Sequence, residues 1–368
     1  MKFWFGNKAA RPAARPSLHR AHVGAATAGE WPRGYEAQVR DAYLGNPVAQ
    51  RAVRLVAESV AWAPVYAPGA GAAAARAAAL AAPALLDSAA AHLLLHGNAF
   101  VQIVADSDGT PAELFALRPE RVTIEADSGG WPAAYVYRAG EVKTRIAALD
   151  GLGRPGLVHV RAMNPLDDHY GLGCLGAAAG AVAIHNSATR WNKALLDNAA
   201  RPSGALSVEG EDGPLAAEQY ERLQAELEAY HSGGANAGRP LLLEGGVKWQ
   251  AISLSPTDMD FVECKAAAAR EIALAFGVPP MLLGLPGDST YANYREANRA
   301  LWRLTVLPLA DRLLGALAAA LGAWWPGLRL AVDLDQVTAL AEDRERLWAQ
   351  VTAADFLTAE EKRAMLGF

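Results

Sequence analysis

Two long alanine-rich helical segments bracket a short insert in this 368-residue chain, and this arrangement constrains the fold more than any other feature. Residues 173–198 contain no proline and predict a single helix, about 39 Å long at about 1.5 Å per residue. A second helix, predicted over 257–276, begins after a Ser-Pro pair and ends at Gly277, which two prolines follow. If the two ends of the insert lie close together, the helices run antiparallel and form a protruding stalk.

The insert itself, residues 199–254, predicts a compact α/β unit at the tip of this stalk. Strand patterns stand at both of its ends, and a helical stripe runs around 215–231. It carries eight Asp and Glu residues against four Lys and Arg, so it accounts for most of the chain's net charge of −5. An isolated stalk would expose Ala, Val and Leu on several faces, so we expect identical neighbours to pack beside it in a ring.

The segment before the stalk, 34–170, predicts an α+β domain. Helical patterns cover 34–62 and 84–97, and the Ala/Gly/Pro stretch between them is interpreted as a loop. Short apolar runs divided by Asp, Gly and Pro then predict five strands. The residues before this domain, 1–33, hold six Lys and Arg against one Glu and predict a flexible basic arm.

After the stalk, a third long helix is predicted over 289–324, with Asp288 or Ser289 as its N-cap. Pro308 lies inside it and removes a backbone donor, so we expect a kink near residue 304. A strand within 328–335 and two short helices complete the chain. Asp311 and Arg312 interrupt the longest apolar run, which argues against a membrane span and favours a soluble protein.

Motifs for catalysis or ligand binding are weak. Gly171–Gly176, "GLGCLG", matches the dinucleotide fingerprint and opens a helix, but no strand ends directly before it, so close helix packing is the favoured interpretation. His92 and His96 lie on one helix face and could share a metal ion, but no third ligand is evident, so a structural pair is favoured. The loop "NPLDDH" is more typical of a turn than of a hydrolytic site. The two cysteines, Cys174 and Cys264, are interpreted as buried thiols of a reducing cytoplasm. No catalytic, cofactor-binding or metal-binding residue is predicted, and we expect no enzyme.

Several stretches together resemble the portal proteins of tailed bacteriophages, the ring-shaped head–tail connectors, and most closely the short portals found also in phage-like gene transfer agents. They are "YGLGCLGAA", "NAARPSGAL", "LSPTDMDFVECKAAAAREIALAFGVPPMLLG", "STYANYREANRALWRLTVLP" and the terminal "FLTAEEKRAMLGF". The resemblance covers about 34–368. It departs from the family at Gly173–Leu175, where a Ser-Pro is usual, and at Asp355 and Glu360, where Gly and Asn are usual.

The resemblance implies a portal-type elongated subunit and assigns its parts. It makes 34–170 and the kinked helix 289–324 the wing, the helices 173–198 and 257–276 the stem, and 199–254 the clip. It makes 277–288 a tunnel loop facing the channel, and 329–368 a short crown. In such a subunit we expect no cofactor. The tunnel loop is expected to include Leu283, Gly284, Leu285, Pro286, Gly287 and Asp288, with Leu283 and Leu285 at its tip.

Three further groups of residues are predicted to make contacts in the ring. A stripe at helical spacing is suited to contact with a neighbouring subunit, with packing inside its own subunit as the alternative: Tyr291, Tyr294, Arg295, Asn298 and Trp302. The clip's acidic helix is expected to face the motor or tail adaptor through Glu218, Glu221, Glu226 and Glu228. Sparse channel cations are expected on the stem at Arg190, Lys193, Lys265 and Arg270, although these equally suit ordinary surface or intersubunit charges.

The resemblance also implies partners and a place of action. These are a homo-oligomeric ring, expected to be a dodecamer, the major capsid protein, the large terminase motor, head–tail adaptor proteins, and double-stranded DNA held without sequence specificity. The protein would assemble in the bacterial cytoplasm and then occupy one capsid vertex. A nucleotide-binding enzyme using "GLGCLG" and a non-viral ring scaffold remain the alternatives.

Overall fold

The computed structural model describes residues 34–69, 71–197, 204–208, 247–251, 261–285 and 290–367, together with the single positions 218, 221, 224 and 225. The predicted α+β class is confirmed. The arm 1–33 and most of the insert lie outside the described residues.

The first domain begins with a helical layer. Asn46 caps the second helix by accepting hydrogen bonds from the amides of Val48 and Ala49, each at 3.0 Å. The stretch interpreted as a loop contains a helix, since its alanines favour one between two turns. The helices of the layer are α1 (Tyr35–Val39), continued by a π-helical turn (Arg40–Leu44), α2 (Pro47–Ala61), α3 (Ala72–Leu80) and α4 (Pro83–His96).

Two antiparallel three-stranded sheets follow. Their strands are β2 (Asn98–Ala105), β3 (Pro111–Leu117), β4 (Val122–Ala126), β5 (Pro132–Ala139), β6 (Val142–Ala147) and β7 (Leu157–Arg161). One sheet has the order β3-β2-β7 and the other the order β4-β5-β6. All five predicted strands are present. The sequence pattern missed β6 because it is exposed along most of its length and has no apolar alternation.

The two long helices pack against each other. They are α5 (Leu175–Asp197) and α6 (Phe261–Ala275), called the stem helices below. At the insert, β8 (Gly204–Val208) pairs antiparallel with β9 (Val247–Ala251), with Gly204 opposite Ala251. The two ends of the insert therefore meet, which is the condition for an antiparallel stalk.

The third long helix is interrupted as the proline predicts. It consists of α7 (Tyr291–Leu301), a π-helical turn (Trp302–Val306) and α8 (Leu307–Leu321). The amide of Leu307 donates to the carbonyl of Trp302, five residues back, and Pro308 then stands in the first turn of α8.

By length and composition Tyr291–Leu321 could cross a membrane, and so could the bent pair α3–α4 taken together. One side of α8 is nevertheless buried in the main core, through Leu313, Leu314, Leu317 and Leu321. This burial favours a core helix.

The last part of the chain is tied to the first domain. Of the strand predicted within 328–335, only β10 (Ala331–Val332) forms, and it pairs with β1 (Val65–Tyr66). Two helices follow, α9 (Ala341–Ala353) and α10 (Ala359–Leu366). A capping box between Thr358 and Glu361 starts α10.

Candidate functional site

The break after α6 is a fully hydrogen-bonded helix end. The amide of Gly277 donates to the carbonyl of Leu274 at 3.0 Å, and the amide of Val278 donates to that of Ala273 at 2.9 Å. These two bonds form a Schellman motif, in which Gly277 has φ +66° and Val278 is buried. The hydroxyl of Thr305 donates to the carbonyl of Gly277 at 2.6 Å, so the break is fastened to the π-helical turn.

The loop that follows is anchored in its first half. Pro280–Leu283 form a 3₁₀ turn, and Leu283 is half-buried against the main core, so it does not project as a tip. Gly284 has φ +71° and open space around it, while Leu285 is half-buried. Neither of the predicted tips, Leu283 and Leu285, is therefore fully exposed. The remaining predicted loop residues, Pro286, Gly287 and Asp288, lie outside the described residues.

The next helix restarts at a residue other than the expected cap. The prediction placed the cap at Asp288 or Ser289, but the hydroxyl of Thr290 accepts from the amide of Asn293 at 3.2 Å. Thr290 is the third of three consecutive capping residues. All three residue types favour the N-cap position, so capping propensity alone does not choose among them.

The predicted intersubunit stripe divides into exposed and internally bound residues. Tyr291 and Tyr294 are 79% and 52% exposed. Arg295 pairs with Glu342 at 2.6 Å and lies 5.9 Å from the ring centre of Tyr291. Trp302 packs against the main core. The two tyrosines are thus the members of the stripe left open for a neighbour.

Sequence reasoning missed the acidic partners of this helix. Glu342 accepts from both Arg295 and Arg299, the latter at 2.8 Å, and Asp343 lies 3.5 Å from Arg299. These ion pairs join α7 to α9. A groove of about 280 Å³ remains between the two helices, and Asn298 is among the residues that line it. In the sequence the two acids look like ordinary first-turn residues of α9, and nothing signals partners more than 40 positions away.

The stem helices carry exposed apolar side chains. Val262 and Leu274 on α6 are 80% and 78% exposed, and Ile184 on α5 is also exposed. Cys264, predicted to be buried, is exposed on the same helix, whereas Cys174 is half-buried. One side of each stem helix packs within the subunit, and on α6 the exposed side carries these apolar residues among the charged Glu263, Arg270 and Glu271.

The four candidate cations lie on the same pair of helices. Arg190 is exposed and bonds the hydroxyl of Ser187 at 3.1 Å. Lys193 is exposed and pairs with Asp197 one turn later. Arg270 is exposed and Lys265 is half-buried. All four stay within reach of solvent.

In the insert, Glu218 and Glu221 are helical and exposed, as expected of the acidic helix. Glu226 and Glu228 lie outside the described residues.

The glycine-rich turn before α5 is a packing device. A Cβ on Gly171 would stand 2.0 Å from the carbonyl oxygen of Gly97, and one on Gly173 would stand 2.4 Å from that of Leu95. The amide of Gly171 donates to Asn98 at 2.8 Å, and the amide of Cys174 donates to the carbonyl of Leu94 at 2.8 Å. Amides that a pyrophosphate would need are already used, which disfavours nucleotide binding.

The remaining polar motifs also have structural roles. Burial lowers the pKa of His92 to about 4, and it lowers the pKa of His96 as well, so both rings stay neutral near pH 7. In "NPLDDH", Asp167 Oδ1 accepts from the amides of His169 and Tyr170, which makes a turn. Within the described ranges no three His, Cys, Asp or Glu side chains are grouped to hold a metal ion.

Comparison with known proteins agrees on one family. The family model "Phage portal protein" matches residues 47–367. A protein of Rickettsia felis is 46% identical over 283 residues, which cover 74% of this chain and 71% of that protein. The probable portal protein of Streptomyces phage phiC31 is 24% identical over 62% of this chain and 50% of its own length.

Solved structures extend the comparison to the fold. A chain in the neck of an empty gene transfer agent particle is 47% identical, with a TM-score of 0.70 over 92% of this chain and 94% of that one. A chain in a native neck computed with C12 symmetry is also 47% identical, with a TM-score of 0.68 over 92% and 95%. An HK97-family phage portal protein from Corynebacterium diphtheriae shares the fold at 18% identity, with a TM-score of 0.57 over 83% and 96%. This chain belongs to the phage portal protein family.

Proposed function

We propose that twelve copies of this chain close into the portal ring at one capsid vertex of a phage or gene transfer agent particle, and that DNA enters and leaves through its channel. The 47% identity to chains of gene transfer agent necks, one of them computed with C12 symmetry, supports both the role and the copy number. The nucleotide-enzyme alternative is disfavoured by the occupied amides of the glycine turn. The role is structural and requires no catalytic residue.

The exposed apolar surface of the stem helices carries the proposal. Val262 and Leu274 are twelve positions apart and therefore point about 120° apart around α6. Each would lose most of its contact with water if neighbouring stems packed on both sides of α6, as in a ring. Fully burying such a side chain contributes about 1.5–3 kcal/mol, so the pair supplies roughly 2–5 kcal/mol at every interface. A ring repeats this contribution at each closed head-to-tail contact, which favours closure over the monomer.

The proposal is tested by placing charge on this surface. In native mass spectrometry the wild-type chain of 38.8 kDa should give a species of about 466 kDa, the mass of twelve copies. Val262→Glu with Leu274→Glu should give monomers or small oligomers, since each interface would bury two carboxylates. Val142→Glu, on the exposed strand β6, is the matched control and should still give rings. Rings in the double variant would contradict the stem as the interface.

The loop 277–288 forms the constriction of the channel in this proposal. It has no Lys or Arg, and its one charge is Asp288, so it touches DNA through shape and apolar contact. The first half of the loop is anchored through its 3₁₀ turn and through the contact of Leu283 with the main core, which suits a constriction held in place at its first helix end. Arg190, Lys193, Lys265 and Arg270 supply sparse positive charge, which holds DNA without stalling its passage.

The partners are assigned to the two ends of the subunit. The acidic helix with Glu218 and Glu221 exposed faces the large terminase motor during packaging and the head–tail adaptor proteins afterwards. The first domain and the C-terminal helices face the major capsid protein. Assembly takes place in the bacterial cytoplasm, and the finished ring stays at the vertex of the particle.

A further inference from the structure

A groove of about 480 Å³ lies on the first domain, away from the stem and the loop. One wall is the consecutive run 112–116 of β3. The other wall comes from the corner between α3 and α4, and it is built mainly of small side chains: Ala79, Ala82, Ala84 and Ser88. Neither the channel nor the intersubunit stripe uses these residues.

The groove has the form of a strand-binding site. Successive side chains of a strand point to opposite faces of its sheet. Because five consecutive residues line the groove, the groove runs along the edge of β3 and not over one of its faces. β3 is at the edge of its sheet: β2 pairs with it on one side, and no described strand pairs with the other. Phe115 in this wall is 52% exposed. An added extended peptide would pair with the edge and place side chains over the alanines.

We propose that this groove binds the segment Phe3–Trp4–Phe5 of the same subunit as an additional strand on β3. Aromatic residues suit a strand. In this strand Trp4 lies over the alanines, while Phe3 and Phe5 point to the opposite face, on which Phe115 is exposed. Lys2 flanks the segment and the groove wall contains exposed Glu113, so the charges are complementary.

The distance supports binding within one subunit. The ring of Tyr35, next to the first described residue, lies 4.6 Å from the ring of His96 at the C-terminal end of α4. The groove lies at the other end of this 14-residue helix, which is about 20 Å away at about 1.5 Å per residue. The 28 residues between Phe5 and Gly34 can span up to about 90 Å, which is ample.

Hydrogen exchange of the full-length ring tests the proposal. Changing Phe3, Trp4 and Phe5 to Ala should speed exchange of the outward-facing amides in 112–116 by about tenfold or more, because they lose their strand partner. The matched control changes Leu18 and Val23 to Ala in the same arm and should leave these amides as in wild type. Ring mass should be unchanged in both, which separates this proposal from the portal assignment. Equal exchange in the aromatic variant and wild type would overturn the proposal.

A disulfide experiment identifies which subunit supplies the segment. Trp4→Cys and Ala84→Cys are combined in a chain whose Cys174 and Cys264 are changed to Ala. Oxidised rings should run as crosslinked monomers on a denaturing gel. A ladder of dimers and higher species would overturn binding within one subunit, and the absence of any crosslink would overturn the site itself.

Discussion

Replacing Asn98 by Ala tests the connection between the first domain and the stem. Asn98 is fully buried at the start of β2. Its Oδ1 accepts from the amide of Gly171 at 2.8 Å and from Nε2 of His159 at 3.0 Å. Its Nδ2 donates to the carbonyl of Gly171 at 3.1 Å and approaches Nδ1 of His96 at 3.0 Å. One side chain therefore holds the turn that leads into α5.

The expected cost follows from the groups left unpaired. Asn98→Ala removes the partner of the Gly171 amide, of the Gly171 carbonyl and of the His159 N–H, all of them enclosed by protein. Each unsatisfied buried group costs about 1–3 kcal/mol, and partial relaxation of the turn reduces the sum to roughly 3–6 kcal/mol. A domain with a net stability of about 5–15 kcal/mol would be severely weakened.

Guanidinium titration followed by circular dichroism measures this cost. The midpoint of the first transition should fall markedly for Asn98→Ala. The matched control is Gln102→Ala, which removes an amide from the same strand at a half-buried position, and it should cost less than about 1 kcal/mol. If Asn98→Ala costs no more than the control, the turn is held by packing alone and the hydrogen-bond argument is wrong.

Three further predictions concern acid stability, the insert and the loop. Burial lowers the pKa of His92 to about 4 and of His159 to about 3, so the unfolded chain binds more protons below pH 6.5. Stability should therefore be full above pH 6.5 and fall towards pH 4 in denaturant titrations, and His92→Leu should flatten this slope by removing one titrating group. Glu218→Lys with Glu221→Lys should leave rings intact but weaken motor docking in a salt-dependent way in a pull-down assay; unchanged docking would place the motor on another surface. Deleting 284–287 should preserve rings but reduce the yield of DNA-filled particles; failure to form rings would make this stretch an assembly element.

Local patterns in the sequence predicted the long elements well. Helix 173–198 was predicted from its lack of proline, and the helix Leu175–Asp197 is observed. The end of the second helix was predicted from Gly277, which closes a Schellman motif. The break predicted before Pro308 is observed as a π-helical turn. Proline lacks an amide N–H, and the backbone hydrogen bonds just before it span five residues instead of four. In each case the cause lies within a few residues of the effect.

What the sequence did not predict depends on contacts between distant residues. Glu342 reaches Arg295 and Arg299 across more than 40 positions, and Asn98 reaches Gly171 across 73. Leu283 looked like a loop tip because glycine and proline surround it, but the main core half-buries it. Periodicity reports which face of an element is apolar and does not report which partner covers it.

The central claim is that this chain forms a closed ring with an open channel, and electron microscopy of the purified full-length protein tests it most directly. Class averages of the end view should show twelvefold rotational symmetry around a central hole wide enough for a DNA duplex, about 20 Å. Val262→Glu with Leu274→Glu should abolish these rings under the same conditions. Isolated monomers, open filaments or solid particles without a hole in the wild-type protein would contradict the account.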